Sequence, residues 1–233
     1  MNDFINIKLT RNNIDKYFIR TAIFSAIKEA SSSFSGNFLD VGCGKMPYRS
    51  YLLSNSNVQR YVGLDLGTAL EYDSNIKPDY TWDGQLMPFE DNSFDCAMAT
   101  EVLEHCPYPI EVLKEVRRVL RQGGVFFFTV PFLWNLHETP HDEYRYTPFA
   151  LERMLLEAGF EEIDIRATGG WHASMAQMLG LWLIRSNLPI NLHRVLKWLF
   201  FPIYKILLKH DKPPLDFTEG SISPSFTGTA KVK

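Results

Sequence analysis

The chain has too few cysteines, wrongly spaced, for a disulfide framework or a structural metal cluster: Cys43, Cys96 and Cys106 are the only three, and none forms a C-x-x-C pair. A reducing compartment is expected. Excess positive charge is also missing. A formal net charge of -3 gives no electrostatic reason to wrap a phosphate backbone, so nucleic acid is not an expected partner. No apolar run reaches the ~20 residues that a membrane-spanning helix needs. The opening stretch MNDFINIKLTRNN is too polar for a signal peptide, and the expected address is the cytoplasm. One glycine is absent from the most informative turn. After Gly42 and Gly44, Pro47 stands where G-x-G-x-x-G requires its third glycine, and a nicotinamide dinucleotide is not expected.

With 233 residues, 45% of them hydrophobic, the chain can bury one large core and an elaboration, so residues 1–233 read as a single domain. Strand-like and helix-like segments alternate through the first two thirds, as in a doubly wound α/β sheet. NFLDVG, RYVGLDL, the short PDYTWD, FDCAMAT and VFFFTVPF read as successive strands. Helices are expected over 14–30, about 47–54 and 109–121, the last stopped by Gly123 and Gly124. A further helix takes Thr147 as N-cap and Pro148 as first residue and ends before Gly159. FEEIDIRAT reads as a sixth strand, and the tail PSFTGTAKVK as a last, edge strand. There is no internal repeat.

DVGCG (Asp40–Gly44) leaves the first strand for a helix, so its glycines can bring backbone close to a ligand. Asp65, Asp83 and Glu101 end the second, third and fourth strands. Ligands of open α/β sheets bind at those carboxyl ends, and an acid after the second strand can accept from ribose hydroxyls.

HETPH (137–141) has the form H-E-x-x-H, which binds zinc when a helix stacks its two histidines. Pro140 lies between them and disfavours helical geometry at Thr139, so a loop without zinc is expected. No metal site is expected elsewhere. Cys43 and Cys106 lack a base partner that would make either a nucleophile.

The ordered series DVGCG, GLD, WDGQLMPFEDNSFD, TEVLEH, EVLKEVRRVLRQGG and FTVP resembles the class I S-adenosylmethionine-dependent methyltransferases of the small, single-domain type, over about residues 36–165. The resemblance implies a seven-stranded sheet, six strands parallel and the last antiparallel. It implies that Asp40, Gly42 and Gly44 cradle the methionine end of S-adenosylmethionine, with Cys43 contributing backbone only. Asp65 would hold the ribose, Leu66 pack on the adenine, and Asp83 with Gly84 bind the adenine amino group. Thr100 and Glu101 would line the floor near the sulfonium. GCGKMPYRSYL and VPFLWNLHETPHDEYRYTPFALERMLLEAGF are similar to methyltransferases of bacterial surface-glycan and lipid-sugar biosynthesis, which implies a sugar or lipid-linked sugar as acceptor. In this fold the HETPH loop faces the acceptor. His137 or His141 is then the candidate base, with Glu138 or Asp142 orienting it, unless these residues only bond the loop to itself. His105 is a second candidate, or a packing residue. Arg145 could bind a phosphate or sugar carboxylate, or pair with a nearby Glu. No (N/D)PP(Y/F) tetrapeptide follows the fourth strand, which again disfavours nucleic acid.

Residues 170–215 form a helical insertion before the last strand. From Ala173 to Lys209 there is no Asp or Glu, while Arg185, Arg194, Lys197, Lys205 and Lys209 accompany many Leu, Ile, Phe and Trp. The pattern suits a helical lid, a packing or dimer surface, or contact with an anionic membrane surface through 173–209. Two functions are compatible with the whole: methyl transfer to a small molecule, with oxygen favoured, or a cofactor-binding, non-catalytic subunit of a larger assembly.

Overall fold

The computed structural model describes residues 3–67 and 76–233. Its strands are β1 (Ser35–Val41), β2 (Asn57–Leu66), β3 (Tyr80–Trp82), β4 (Phe94–Thr100), β5 (Leu120–Pro131), β6 (Phe160–Ala167) and β7 (Ser225–Val232). The helices are α1 (Tyr17–Ala30), α2 (Arg49–Asn55), α3 (Pro109–Val119), α4 (Pro148–Glu157), α5 (Trp171–Arg185) and α6 (Ile190–Lys209). One seven-stranded sheet runs in the order β3-β2-β1-β4-β5-β7-β6. β1 to β5 pair in parallel, and β7 pairs antiparallel with both β5 and β6. The doubly wound sheet, six strands of one sense and the last reversed, is as expected.

Side-chain alternation splits β1, β2, β4 and β5 between two cores. Leu39, Ala97, Ala99, Phe126 and Phe128 face α3 and α4, whose Val112, Val116, Leu151 and Leu155 pack on them. Phe38, Cys96, Met98 and Phe127 face α1 and α2, meeting Ile19, Ile23, Ile27 and Leu52. The central strands are buried on both sides, which is why FDCAMAT and VFFFTVP read as nearly unbroken apolar runs.

Two expectations are corrected. The tail strand is not an edge: β7 sits between β5 and β6, and a Cβ at Gly228 would lie 2.5 Å from Phe128. Alternation alone does not distinguish an interior antiparallel strand from an edge. Gly123 and Gly124 do not stop α3, which ends at Val119. They lie within β5, where Gly123 has φ +72° and the β4–β5 register shifts. A glycine pair beside a strand reads as a bulge or a stop with equal ease. The insertion builds a core of its own. Ala176 and Leu183 of α5 and Tyr204 of α6 enclose Ile14 from the amino-terminal segment, and Gly180 is needed because a Cβ there would lie 2.3 Å from the Ile14 carbonyl oxygen. Asp211 closes the hairpin by accepting from Gly170 N and Ala173 N at the start of α5. Arg185 of α5 lies 5.5 Å over the Trp134 ring, in the segment that follows β5.

Candidate active site

The β1–α2 turn is pinned to the end of β2. Gly42 N and Cys43 N donate to the Leu64 carbonyl at 2.8 and 3.1 Å, and Gly44 N donates to Asp65 Oδ2 at 2.8 Å. Gly42 has φ +66°, and a Cβ there would lie 2.5 Å from Val102 Cγ2. Only glycine satisfies both restrictions. The Cys43 thiol is buried, and burial followed by the charges of Asp40 and Asp65 pushes its pKa up, away from the thiolate form that a nucleophile needs.

Parallel pairing brings Asp40, Asp65, Asp83 and Glu101 to the carboxyl end of the sheet. Asp40 is buried. Its Oδ2 accepts from the Tyr61 hydroxyl, and among the described residues no donor reaches its Oδ1. Burial pushes its pKa up to about 7 against the Tyr61 hydrogen bond, with the charge of Asp65 adding to the rise. Asp65 is raised too, first by burial and also by Glu138 of the HETPH loop, while bonds from Gly44 N and Leu66 N oppose it. Glu101 has φ +56° and bonds the Thr129 hydroxyl at 2.9 Å; burial pushes its carboxyl up to about 7. The rim therefore concentrates like charge that a cationic ligand would relieve.

Next to it, Leu66 is 41% exposed, and the Cβ position of Gly84 lies 3.3 Å from Leu66 Cδ2, making an apolar wall at the ends of β2 and β3. Asp83 is exposed. Its Oδ1 accepts from Gln85 N and Leu86 N at 2.9 and 3.2 Å, and those bonds lower its pKa. Thr100 ends β4 opposite Thr129 of β5.

HETPH lies in a loop and not on a helix. It is clamped over the turn after β4: Glu143 N and Tyr144 N donate to the Glu104 carbonyl, the Tyr146 hydroxyl to that of Leu103, and His105 Nδ1 lies 3.0 Å from the His141 carbonyl oxygen. His137 Nδ1 lies 3.2 Å from Asp142 Oδ2, and Arg145 pairs with both oxygens of Asp142 at 2.6 and 2.8 Å. Arg145 thus has an acidic partner, an aspartate three residues away. The two candidate bases separate. His137 meets His105 with ring centroids 4.7 Å apart, whereas His141 is exposed and contacts His105 through its backbone carbonyl.

Sequence reasoning missed Tyr61, Thr129 and Glu104. Tyr61 reads as a strand residue, and only the pairing of β2 with β1 carries its hydroxyl to Asp40. Glu104 stands in TEVLEH with no local signal that separates it from any other acid. It is fully buried, and no hydrogen-bond donor reaches either carboxylate oxygen among the described residues.

The fold and this rim have the arrangement of class I methyltransferase domains. Residues 39–128 match the family described as methyltransferase domain. An uncharacterised protein of Methanocaldococcus jannaschii, MJ1252, is 31% identical over 131 residues, 55% of this chain and 48% of that one. Phthiotriol/phenolphthiotriol dimycocerosates methyltransferase 1 of Mycobacterium ulcerans is 38% identical over 98 residues, 39% of this chain and 36% of its own. The chain thus spans less than half the length of these curated relatives. Among solved structures, an S-adenosylmethionine-dependent methyltransferase of Archaeoglobus fulgidus superposes with a TM-score of 0.54 at 17% identity, covering 95% of this chain and 94% of that one. Residues 39–128 thus resemble a methyltransferase domain, and the sheet that carries them has the fold of that solved methyltransferase.

Proposed function

We propose that the chain transfers a methyl group from S-adenosylmethionine to a hydroxyl oxygen of a small molecule, with a sugar or lipid-linked sugar as the favoured acceptor. The observation that carries this reading is the placement of Asp40 and Asp65 beside a glycine turn, with Asp40 Oδ1 buried and without a hydrogen-bond donor among the described residues. A ligand bearing a sulfonium and an ammonium group matches that charge. In this assignment Asp40, Gly42 and Gly44 hold the methionine end, with Cys43 present only as backbone. Asp65 takes the ribose, Leu66 and Gly84 flank the adenine, Asp83 accepts from its amino group, and Thr100 and Glu101 form the floor.

S-adenosylmethionine, when bound, supplies a methyl group already activated by the sulfonium. What remains for the chain is to align the acceptor oxygen, exclude water and receive one proton. His137, Glu138 and His105 meet on the acceptor side and supply groups for that last task. His141 would act through its backbone.

A lipid-linked acceptor is supported by α6, which exposes Val195, Trp198, Leu199, Ile203 and Ile206 among basic residues. Such a face suits peripheral contact with an anionic membrane. No helix among the described residues is long and apolar enough to cross one. The Mycobacterium ulcerans relative is itself named for phthiotriol and phenolphthiotriol dimycocerosates.

The test is release of S-adenosylhomocysteine on incubation with sugar and lipid-linked sugar acceptors. Release above the acceptor-free blank supports methyl transfer. Binding of the cofactor without turnover on any acceptor would instead establish the non-catalytic subunit.

A further inference from the structure

Glu104, His105 and His137 each offer one ligand atom, and these atoms lie within 4.8 Å of one another. The expectation of no metal rested on HETPH failing to form a helix, and it does fail. The cluster recruits only His137 from that motif and takes its other two members from the turn after β4.

Both imidazoles are held as metal ligands usually are, with the second nitrogen bonded to an acceptor. His105 Nδ1 faces the His141 carbonyl oxygen at 3.0 Å, which can only accept, so Nδ1 carries the proton and Nε2 the lone pair. His137 Nδ1 faces Asp142 Oδ2 at 3.2 Å, and Arg145 holds that carboxylate. His137 Nε2 is likewise the lone-pair nitrogen.

Glu104 is the independent observation. Its side chain is 0% exposed, Oε1 lies 3.7 Å from His105 Nε2, and neither oxygen has a hydrogen-bond donor among the described residues. A buried carboxylate without donors is costly, and a bound cation is one of the few arrangements that compensates it. Ligand atoms about 2.1 Å from one metal stand about 3–4 Å apart, so the observed spacing closes with side-chain shifts of under about 1 Å. The cluster is partly open: the His105 side chain is 19% and that of His137 23% exposed, and Glu138 Oε2 lies 3.9 Å from His105 Nε2.

We propose that Glu104, His105 and His137 form a binding site for a divalent first-row transition ion, with an open position directed at the acceptor. Two imidazoles and one carboxylate select such an ion over magnesium or calcium, which prefer all-oxygen shells. An acceptor hydroxyl entering the open position would lose its proton more readily, and Glu138, 3.9 Å from His105 Nε2, would receive it in place of the two imidazoles that the ion occupies. That role rests on the methyl-transfer reading, whereas the binding site does not.

The experiment titrates Co2+ into the untagged, chelator-stripped chain and follows its visible absorption, with Zn2+ competition giving the affinity. One equivalent should bind, with the bands of a nitrogen- and oxygen-ligated ion. Affinity should fall by about 10–100-fold or more in His105→Ala, His137→Ala and Glu104→Gln. It should be unchanged in His172→Ala, an exposed control histidine on α5. His137 lies in a loop, so its variant keeps the test decisive if Glu104→Gln does not fold. No saturable binding, or binding indifferent to His105→Ala and His137→Ala, overturns the site and leaves Glu104 as a buried, protonated acid. S-adenosylmethionine affinity measured on the same preparation separates the two readings: intact cofactor binding without metal binding sinks only the metal site.

Discussion

Asp142 holds His137 twice with one oxygen. Oδ2 accepts from the His137 backbone N–H at 3.1 Å and from its ring Nδ1 at 3.2 Å, while Arg145 pairs with both carboxylate oxygens. The ring is thereby fixed relative to the loop that carries it. Whether His137 receives a proton or ligates an ion, its orientation comes from this carboxylate. Asp142→Asn should lower turnover by about 10–100-fold and leave cofactor affinity unchanged. Steady-state rates beside calorimetric S-adenosylmethionine titration provide the check; a matching loss in both would place Asp142 in cofactor binding.

Asp40 makes cofactor affinity depend on pH. Its pKa in the folded chain is raised from 3.8 to about 7, and a cationic ligand favours the ionised form. Affinity should therefore rise between pH 6 and 8, with proton release near pH 7 that calorimetry in buffers of different ionisation enthalpy detects. The stability linkage has the opposite sign. A raised carboxyl contributes stability that is fully present below its unfolded pKa and lost as pH rises through the folded one. Asp40→Asn should accordingly melt higher than the parent chain at pH 8, with the gap closing toward pH 4, while binding the cofactor more weakly. A melting difference independent of pH would show that Asp40 does not titrate in this range.

Asp65 links two functions, since Oδ2 pins Gly44 and the same carboxylate is the proposed ribose acceptor. Asp65→Ala should weaken S-adenosylmethionine binding by more than about tenfold, roughly 1.4 kcal/mol, through loss of charge-assisted hydrogen bonds. Unchanged affinity by calorimetry would remove the ribose assignment.

At Gly42 a methyl group meets Val102 and the backbone has a positive φ. Gly42→Ala should destabilise the fold by about 1–3 kcal/mol. Chemical denaturation measures that, and a wild-type midpoint would mean that the turn relaxes freely.

For α6, co-sedimentation with vesicles separates membrane contact from packing. Binding should require phosphatidylglycerol and fall at least fivefold in Trp198→Glu, whose parent side chain is 64% exposed. Sedimentation unaffected by the anionic lipid would leave α6 as a surface of another kind.

The parts legible in sequence are those whose signal is local. Thr147 and Pro148 predicted the start of α4, and Thr147 Oγ1 does accept from Ala150 N at 3.3 Å. Pro140 predicted that HETPH would not be a helix. Gly42 and Gly44 marked a turn that needs a positive φ. The illegible parts depend on pairing. β7 carries the same alternation whether it ends the sheet or enters it, and Glu104 looks like any acid beside a histidine until β4, β5 and the 132–147 loop surround it.

By itself the sequence determined the strand–helix alternation, the glycine turn and the acids at the strand ends, because periodicity and backbone restriction act over a few residues. Only the tertiary structure decided which histidine faces inward, that Tyr61 reaches Asp40, and that Glu104 is sealed beside His105 and His137. Those relations join residues up to dozens of positions apart, and what joins them is strand register and burial, which no short stretch of chain encodes.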